Sequence, residues 1–181
     1  MIEEDDYEIK VIFLGKTAVG KTNIMNILQG LPFNLHEIST MTSSFFDKSI
    51  IIKNKKYNLQ IWDTCGKEKY RSLANIFMKD AKIVILVYSI IDRGSFEEID
   101  YWFRTAKDIL GNGAIFALIG NKNDLFTQEE VSEEEGKRKA NEIGALFKLT
   151  SAKTWMGLKD FYKSLLEAYL RKLSFDIRRV K

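Results

Sequence analysis

Apolar residues along this chain come in two spacings. Near-continuous apolar runs fill residues 83–88, 114–120 and 145–149, and Val11-Ile12-Phe13-Leu14 closes a strand predicted over 8–14. Such runs, short and without a polar face, are expected of strands covered on both sides. Apolar positions at 46–52 and 57–63, on either side of Lys53-Asn54-Lys55-Lys56, predict a hairpin. Elsewhere the period lengthens to that of a helix. Phe96, Ile99, Phe103, Ala106 and Leu110 mark one side of a helix over 95–110. Ser132-Glu133-Glu134-Glu135 is a capping-box start for a helix ending near Ile143-Gly144. Leu158, Phe161, Tyr162, Leu165, Leu166, Tyr169 and Leu170 form the stripe of a last helix, expected to pack into the core. A first helix is predicted over 20–28. The looser segment 31–44 after it carries the only proline, Pro32, and the only histidine, His36.

Strands alternating with helices predict an α/β fold. The expected sheet has six strands, mostly parallel with one antiparallel strand, and helices on both faces. Ligands of such sheets bind beyond the carboxyl ends of the strands, so polar motifs that follow strands gather on one rim. With 181 residues, the chain is expected to form a single domain over 1–181. A net charge of +3 is too small to suggest nucleic-acid binding. Cys65, the one cysteine, excludes an internal disulfide framework and suits a reducing compartment. No apolar run has the length of a membrane span, and the acidic start is unlike a secretory signal. A cytoplasmic location is expected.

Gly15-Lys16-Thr17-Ala18-Val19-Gly20-Lys21-Thr22 fits the pattern G-x-x-x-x-G-K-[ST] between the first strand and the first helix. Backbone N–H groups of such a loop point inward on anionic oxygens, and the helix start adds partial positive charge. Gly15 and Gly20 are expected where the chain turns tightly and a phosphate approaches. Lys21 is expected to place an ammonium on the outer phosphates and the Thr22 hydroxyl to join a magnesium shell. Asp63, which ends the 57–63 strand, suits a magnesium anchor because that ion takes oxygen ligands and keeps several waters. Gly66 offers a backbone N–H to a terminal phosphate, and Thr40 a second hydroxyl to the ion.

Asn121-Lys122-Asn123-Asp124 follows the 114–120 strand. A carboxylate only accepts hydrogen bonds, so Asp124 suits a base edge with two adjacent donors. Guanine has that edge; adenine presents an acceptor at the ring nitrogen. Ser151 and Ala152 follow the next strand, where backbone donors can meet the base oxygen, and the Lys153 stem can lie along the base. Phe33 is placed either to cover the ring edge-on or to pack as a satellite core residue.

These residues resemble the Ras superfamily of small GTP-binding proteins, most closely its Rab branch. The resemblance spans residues 8–170 and carries five guanine-nucleotide elements in order: 15–22, Thr40, 63–66, 121–124 and 151–153. Leu59-Gln60-Ile61-Trp62-Asp63-Thr64, Leu86-Val87-Tyr88-Ser89-Ile90 and Asp92-Arg93-Gly94-Ser95-Phe96 have a Rab-like flavour. It implies a P-loop NTPase domain that binds GTP or GDP with magnesium. The nucleotide-binding set becomes Gly15, Thr17, Ala18, Val19, Gly20, Lys21, Thr22, Asn23, Phe33, Thr40, Gly66, Asn121, Lys122, Asp124, Leu125, Ser151, Ala152 and Lys153. Thr22, Thr40 and Asp63 are the metal ligands, and Lys21, Thr40, Gly66 and Lys67 surround the reacting phosphate. The resemblance further implies a monomeric switch, with loops at 35–45 and 66–79 ordered by the third phosphate. Effector, exchange-factor and activator proteins would read those loops, in vesicle trafficking.

Three departures qualify the match. Lys67 stands where the family usually has glutamine, and an ammonium has no acceptor with which to orient the attacking water. Intrinsic hydrolysis is therefore expected to be slow, with a GTP-bound adaptor that never hydrolyses as the alternative. A phosphotransferase on the same loop would leave the 121–124 element without a role. No arginine lies between Thr22 and Tyr70, so an arginine finger would come from another protein. Second, Met41-Thr42-Ser43-Ser44 and Asn75-Ile76-Phe77-Met78-Lys79-Asp80 depart from Rab relatives on partner-reading surfaces. Third, Ser174-Phe175-Asp176-Ile177-Arg178-Arg179-Val180-Lys181 holds no cysteine, so prenylation is not expected on this chain. Membrane-surface association is expected if the native chain is longer; on this chain Arg178, Arg179 and Lys181 offer at most a weak contact with anionic lipids.

Overall fold

A computed structural model describes residues 3–36, 40, 43–66, 71–159 and 161–179. Lys67, Met41 and Thr42 lie outside the described residues. The strands are β1 (Glu3–Leu14), β2 (Ser44–Ile52), β3 (Lys55–Asp63), β4 (Ile83–Ser89), β5 (Ile115–Asn121) and β6 (Leu146–Leu149). The helices are α1 (Lys21–Gln29), α2 (Arg71–Met78), α3 (Arg93–Glu97), α4 (Ile99–Leu110), α5 (Glu133–Ile143) and α6 (Phe161–Arg179). They build one sheet in the order β2-β3-β1-β4-β5-β6. β2 pairs antiparallel with β3, and every other pairing is parallel. The predicted α/β sheet of six strands with one antiparallel member is what forms.

Alternation along the central strands sorts the core into two layers. Val11 and Phe13 of β1, Ile83, Ile85 and Val87 of β4, and Ala117 and Ile119 of β5 face α1 and α6. Ile12, Leu14, Val84, Leu86 and Leu118 face the opposite layer, where α2, α4 and α5 contribute Met78, Trp102 and Ala140. Both faces of β4 are therefore buried, which is why its sequence shows no polar alternation.

Several boundaries differ from expectation for local reasons. The hairpin turn is two residues, Lys53 and Asn54, both left-handed at φ 49° and 62°. Two successive residues of that hand suit the twist of the paired strands, so Lys55 and Lys56 belong to β3. β1 begins at Glu3, five residues before the predicted start, because it pairs with β3 as far back as the Glu3–Lys55 register. The single helix expected over 95–110 is two. Asp92 caps α3 by accepting from the Ser95 N–H at 3.0 Å, and Glu98 then serves as N-cap of α4. Trp102, fully buried on α4, is a core residue that the apolar period alone did not single out. The capping box forms as predicted: Ser132 accepts from the Glu135 N–H, the Glu135 carboxylate accepts from the Ser132 N–H, and Gly144 closes the helix in a left-handed cap. Leu158 is buried but precedes α6.

Candidate functional site

The carboxyl ends of β1 and β3 lie side by side, and the loops leaving them meet. Gly15 sits at φ 147°, and a Cβ there would fall 2.1 Å from the Val87 carbonyl oxygen. Its lack of a side chain is thus required by β4, not only by an incoming phosphate as the sequence suggested. Gly20, at φ 96°, would set a Cβ 2.4 Å from the Asn121 amide nitrogen. Gly66 packs on the loop itself, where a Cβ would stand 2.5 Å from both the Gly15 oxygen and the Thr17 nitrogen.

Lys21 runs back along this loop. Its ammonium donates to the Gly15 and Lys16 carbonyls at 2.8 and 2.9 Å. An ammonium has three N–H donors, so one is left for an anion. Burial, partly offset by Asp63, pushes the Lys21 ammonium down to about 8. An anionic phosphate beside it would favour the charged form.

Thr22, Thr40 and Asp63 converge on one point. The Thr22 hydroxyl donates to Asp63 Oδ2 at 2.6 Å, Thr40 approaches the same oxygen at 3.3 Å, and the two hydroxyls lie 2.8 Å apart. Asp63 is 1% exposed, and its other oxygen, Oδ1, has no hydrogen-bond partner among the described residues. Burial raises its carboxyl above the usual range, opposed by Thr22 and then by Lys21. A buried carboxylate oxygen without a partner is costly. Two hydroxyls and a carboxylate with one oxygen unused are hard donors of the kind magnesium takes, so the residues present fit that ion.

Along the same rim a cavity of about 350 Å³ opens. Ala18, Gly20, Thr22, Asn23, Phe33 and Leu35 line one side. Asn121, Lys122, Asp124, Leu125, Ala152 and Lys153 line the other. All but Leu35 are expected at the nucleotide; the signal for Leu35 is an apolar side chain in a polar loop. Its volume lies at the small end for a ligand pocket.

Several of these side chains are engaged with the protein. Asn121 donates to the Val19 carbonyl at 2.8 Å, and its oxygen accepts from the Thr150 hydroxyl at 3.1 Å and the Ala152 N–H at 3.4 Å. It thereby ties the phosphate loop to both base-side loops. The Asn23 amide donates to the Asn34 carbonyl, and its oxygen accepts the Asn34 N–H, each at 2.9 Å. That clasp fixes the loop that carries Phe33, which is half-buried against the core and also lines the cavity. Ser151 donates its hydroxyl to Asp124 Oδ1 at 2.6 Å, while its N–H goes to the Met156 carbonyl. Lys122 is left-handed at φ 68°, and burial lowers its ammonium against the pull of Asp92 and Asp124.

Two further features escaped the sequence reading. Lys16, inside the phosphate loop, pairs with Asp92 at 3.2 Å and so joins the loop to the α3 cap. Phe45 of β2 stacks on Trp62 of β3 at 4.8 Å between ring centroids, and Trp62 meets Phe77 of α2 at 5.4 Å. Phe45 and Ile76 remain exposed, leaving an apolar surface at the ends of both switch-like segments.

The Ras family model matches residues 10–171 of this sequence. The chain belongs to the Ras family. Curated relatives place it near the Rab branch. It is similar to Ras-related protein Rab-21 of Bos taurus, at 35% identity over 172 residues, covering 95% of this chain and 78% of the bovine protein. The Homo sapiens protein of that name matches at 35% over the same share of this chain and 76% of its own. The Mus musculus protein matches at 34% and 78% of its length. Ras-family small GTPases bind GTP and GDP, typically with magnesium, and hydrolyse GTP. The observed sheet is the P-loop GTPase fold of that family. Among the described residues, no helix is long and apolar enough to cross a membrane.

Proposed function

We propose that this chain is a guanine-nucleotide switch that hydrolyses GTP slowly and signals through the segments around Thr40 and Gly66, in vesicle trafficking. The observation that carries the reading is the convergence of Thr22, Thr40 and the partnerless Asp63 oxygen beside the phosphate loop. In this reading Lys21 holds the outer phosphates and Thr22, Thr40 and Asp63 hold magnesium. When bound, the ion offsets charge on the phosphate oxygens. Asp124, its carboxylate positioned by Ser151, accepts from guanine. Phe33 and Lys153 flank the base.

Switching follows from Thr40. Its hydroxyl meets Thr22 and Asp63 at the proposed magnesium site, so losing the third phosphate and the ion it shares loosens the segment that carries Thr40. Partners that grip the Phe45–Trp62–Phe77 surface together with that loop are then released. Slow hydrolysis follows from Lys67, which has no acceptor for the attacking water. Single-turnover assays of wild type and Lys67→Gln test this point. The variant is expected to be faster by about tenfold or more, since orienting the water is the role that glutamine fills. Equal rates reject the assignment. Wild-type phosphate release that stays at zero with candidate activators present favours the adaptor that never hydrolyses.

A further inference from the structure

The stripe of the last helix is packed into the core as expected, but one of its polar atoms is not accounted for. Tyr162 is 5% exposed, and its hydroxyl has no hydrogen-bond partner among the described residues. Burying such a group without a partner is unfavourable. Tyr162 lines a cavity of about 540 Å³ where α1, β2 and the start of α6 meet, which shares no lining residue with the rim cavity. Ile27, Ile50, Leu158 and Phe161 supply apolar walls. That size, and an apolar wall with a few polar groups, are the usual marks of a small-molecule site.

Among the described residues, the charged groups that line this cavity are all of one sign. Lys48, Lys159 and Lys163 line it, and among the described residues no carboxylate does. Lys48 donates one N–H to the Leu28 carbonyl at 2.9 Å and lies 5.9 Å from the Tyr162 ring centroid. Its remaining N–H donors are left for an anion. Lys159 and Lys163 are exposed. At the same cavity Trp155 is 52% exposed and held at φ 66°, an uncommon conformation for a bulky side chain.

We propose that this cavity is a binding site for a small amphiphilic anion, an apolar chain with a carboxylate or phosphate head. The chain lies against Ile27, Ile50 and Phe161, and the head is held by the lysines with the Tyr162 hydroxyl as a further donor. Charge complementarity selects an anion over a neutral amphiphile. The apolar walls select a chain over a free anion. The inference does not depend on the nucleotide reading.

Titration of the full chain with dodecanoate, dodecyl phosphate, dodecanol and inorganic phosphate tests it. All are kept below micelle-forming concentrations and followed by calorimetry and tryptophan fluorescence. One saturable site for either anionic amphiphile is expected, with dodecanol weaker by about tenfold, as the loss of charge-assisted bonds implies. Whichever of carboxylate and phosphate binds tighter identifies the head. Lys159→Gln combined with Lys163→Gln changes exposed residues only and is expected to weaken binding by about tenfold. Tyr162→Phe should weaken it severalfold with melting temperature unchanged or higher. Equal binding of dodecanol, equal binding of inorganic phosphate, no saturable site, or affinity indifferent to the lysine pair would each overturn the proposal.

Discussion

At the end of the rim where the loops after β5 and β6 meet, Asn121 has both ends of its amide engaged, with Val19, Thr150 and Ala152. At the other end, beside the glycine-lysine loop, Asp63 is just as buried but has one oxygen without a hydrogen-bond partner among the described residues. The two residues end strands of one sheet, β5 and β3, and are both expected at the ligand. Their difference separates scaffold from socket. Asn121 joins three loops through bonds within the protein, whereas the proposed reading gives Asp63 a cation as its further partner. Removing the first should therefore unfold, and removing the second should unbind.

The largest effect is expected at the socket. Asp63→Asn replaces a buried carboxylate by a neutral amide of the same shape. Magnesium-dependent nucleotide affinity should fall by roughly a hundredfold or more, about 3 kcal/mol, as for a lost charged partner. The melting temperature of the ligand-free chain should hold or rise, because an uncompensated buried charge has gone. A marked drop in that temperature would show that Asp63 is a scaffold residue too.

Next comes the base. Asp124→Asn exchanges an acceptor for a donor opposite the guanine amine, and GTP affinity should fall by about tenfold or more, each charge-assisted bond contributing about 1.5–3 kcal/mol. Xanthine nucleotide, with an acceptor at that place, should bind the variant better than GTP does. Unchanged GTP affinity would remove Asp124 from base recognition.

Asn121→Ala tests the scaffold side. It strips three hydrogen bonds and leaves the Val19 carbonyl without that partner, so unfolding stability should drop by about 1–3 kcal/mol with or without nucleotide. A variant of wild-type stability that merely binds poorly would erase the contrast with Asp63.

The smallest effect lies away from the rim. Arg93 donates to Glu135 at 2.6 Å and, with Ser132, pulls its carboxyl down to about 2 from an ordinary 4.5. A carboxyl depressed in the folded state stabilises fully above pH 4.5, and that contribution is lost as the pH falls toward 2. Glu135→Gln should flatten the acid limb of stability against pH in that window and leave nucleotide affinity alone. An unchanged limb would mean that the exposed pair contributes nothing measurable.

Much of this was legible from residue order because it rests on local chemistry. Continuous apolar runs mark β4 and β5, the capping box at Ser132 marks the start of α5, and the glycine-lysine loop marks the turn from β1 into α1. Tertiary relations were not legible. Asn121 reaches Val19 across 102 positions, and no local pattern distinguishes an amide that braces loops from one that meets a base. The Val87 carbonyl that demands glycine at position 15 belongs to another strand. The split between α3 and α4 was hidden because the apolar period continues through Glu98. The Tyr162 hydroxyl was hidden for the opposite reason: its ring fits the core stripe, and only packing reveals that the oxygen has no partner.

The most direct measurement is chromatography of the nucleotide released when the purified chain is denatured, with magnesium-dependent rebinding of GDP and GTP to the emptied protein. The account predicts a guanine nucleotide close to one per chain, and rebinding that weakens sharply when magnesium is chelated. A chain that carries no guanine nucleotide and takes up neither GDP nor GTP with magnesium present would contradict it.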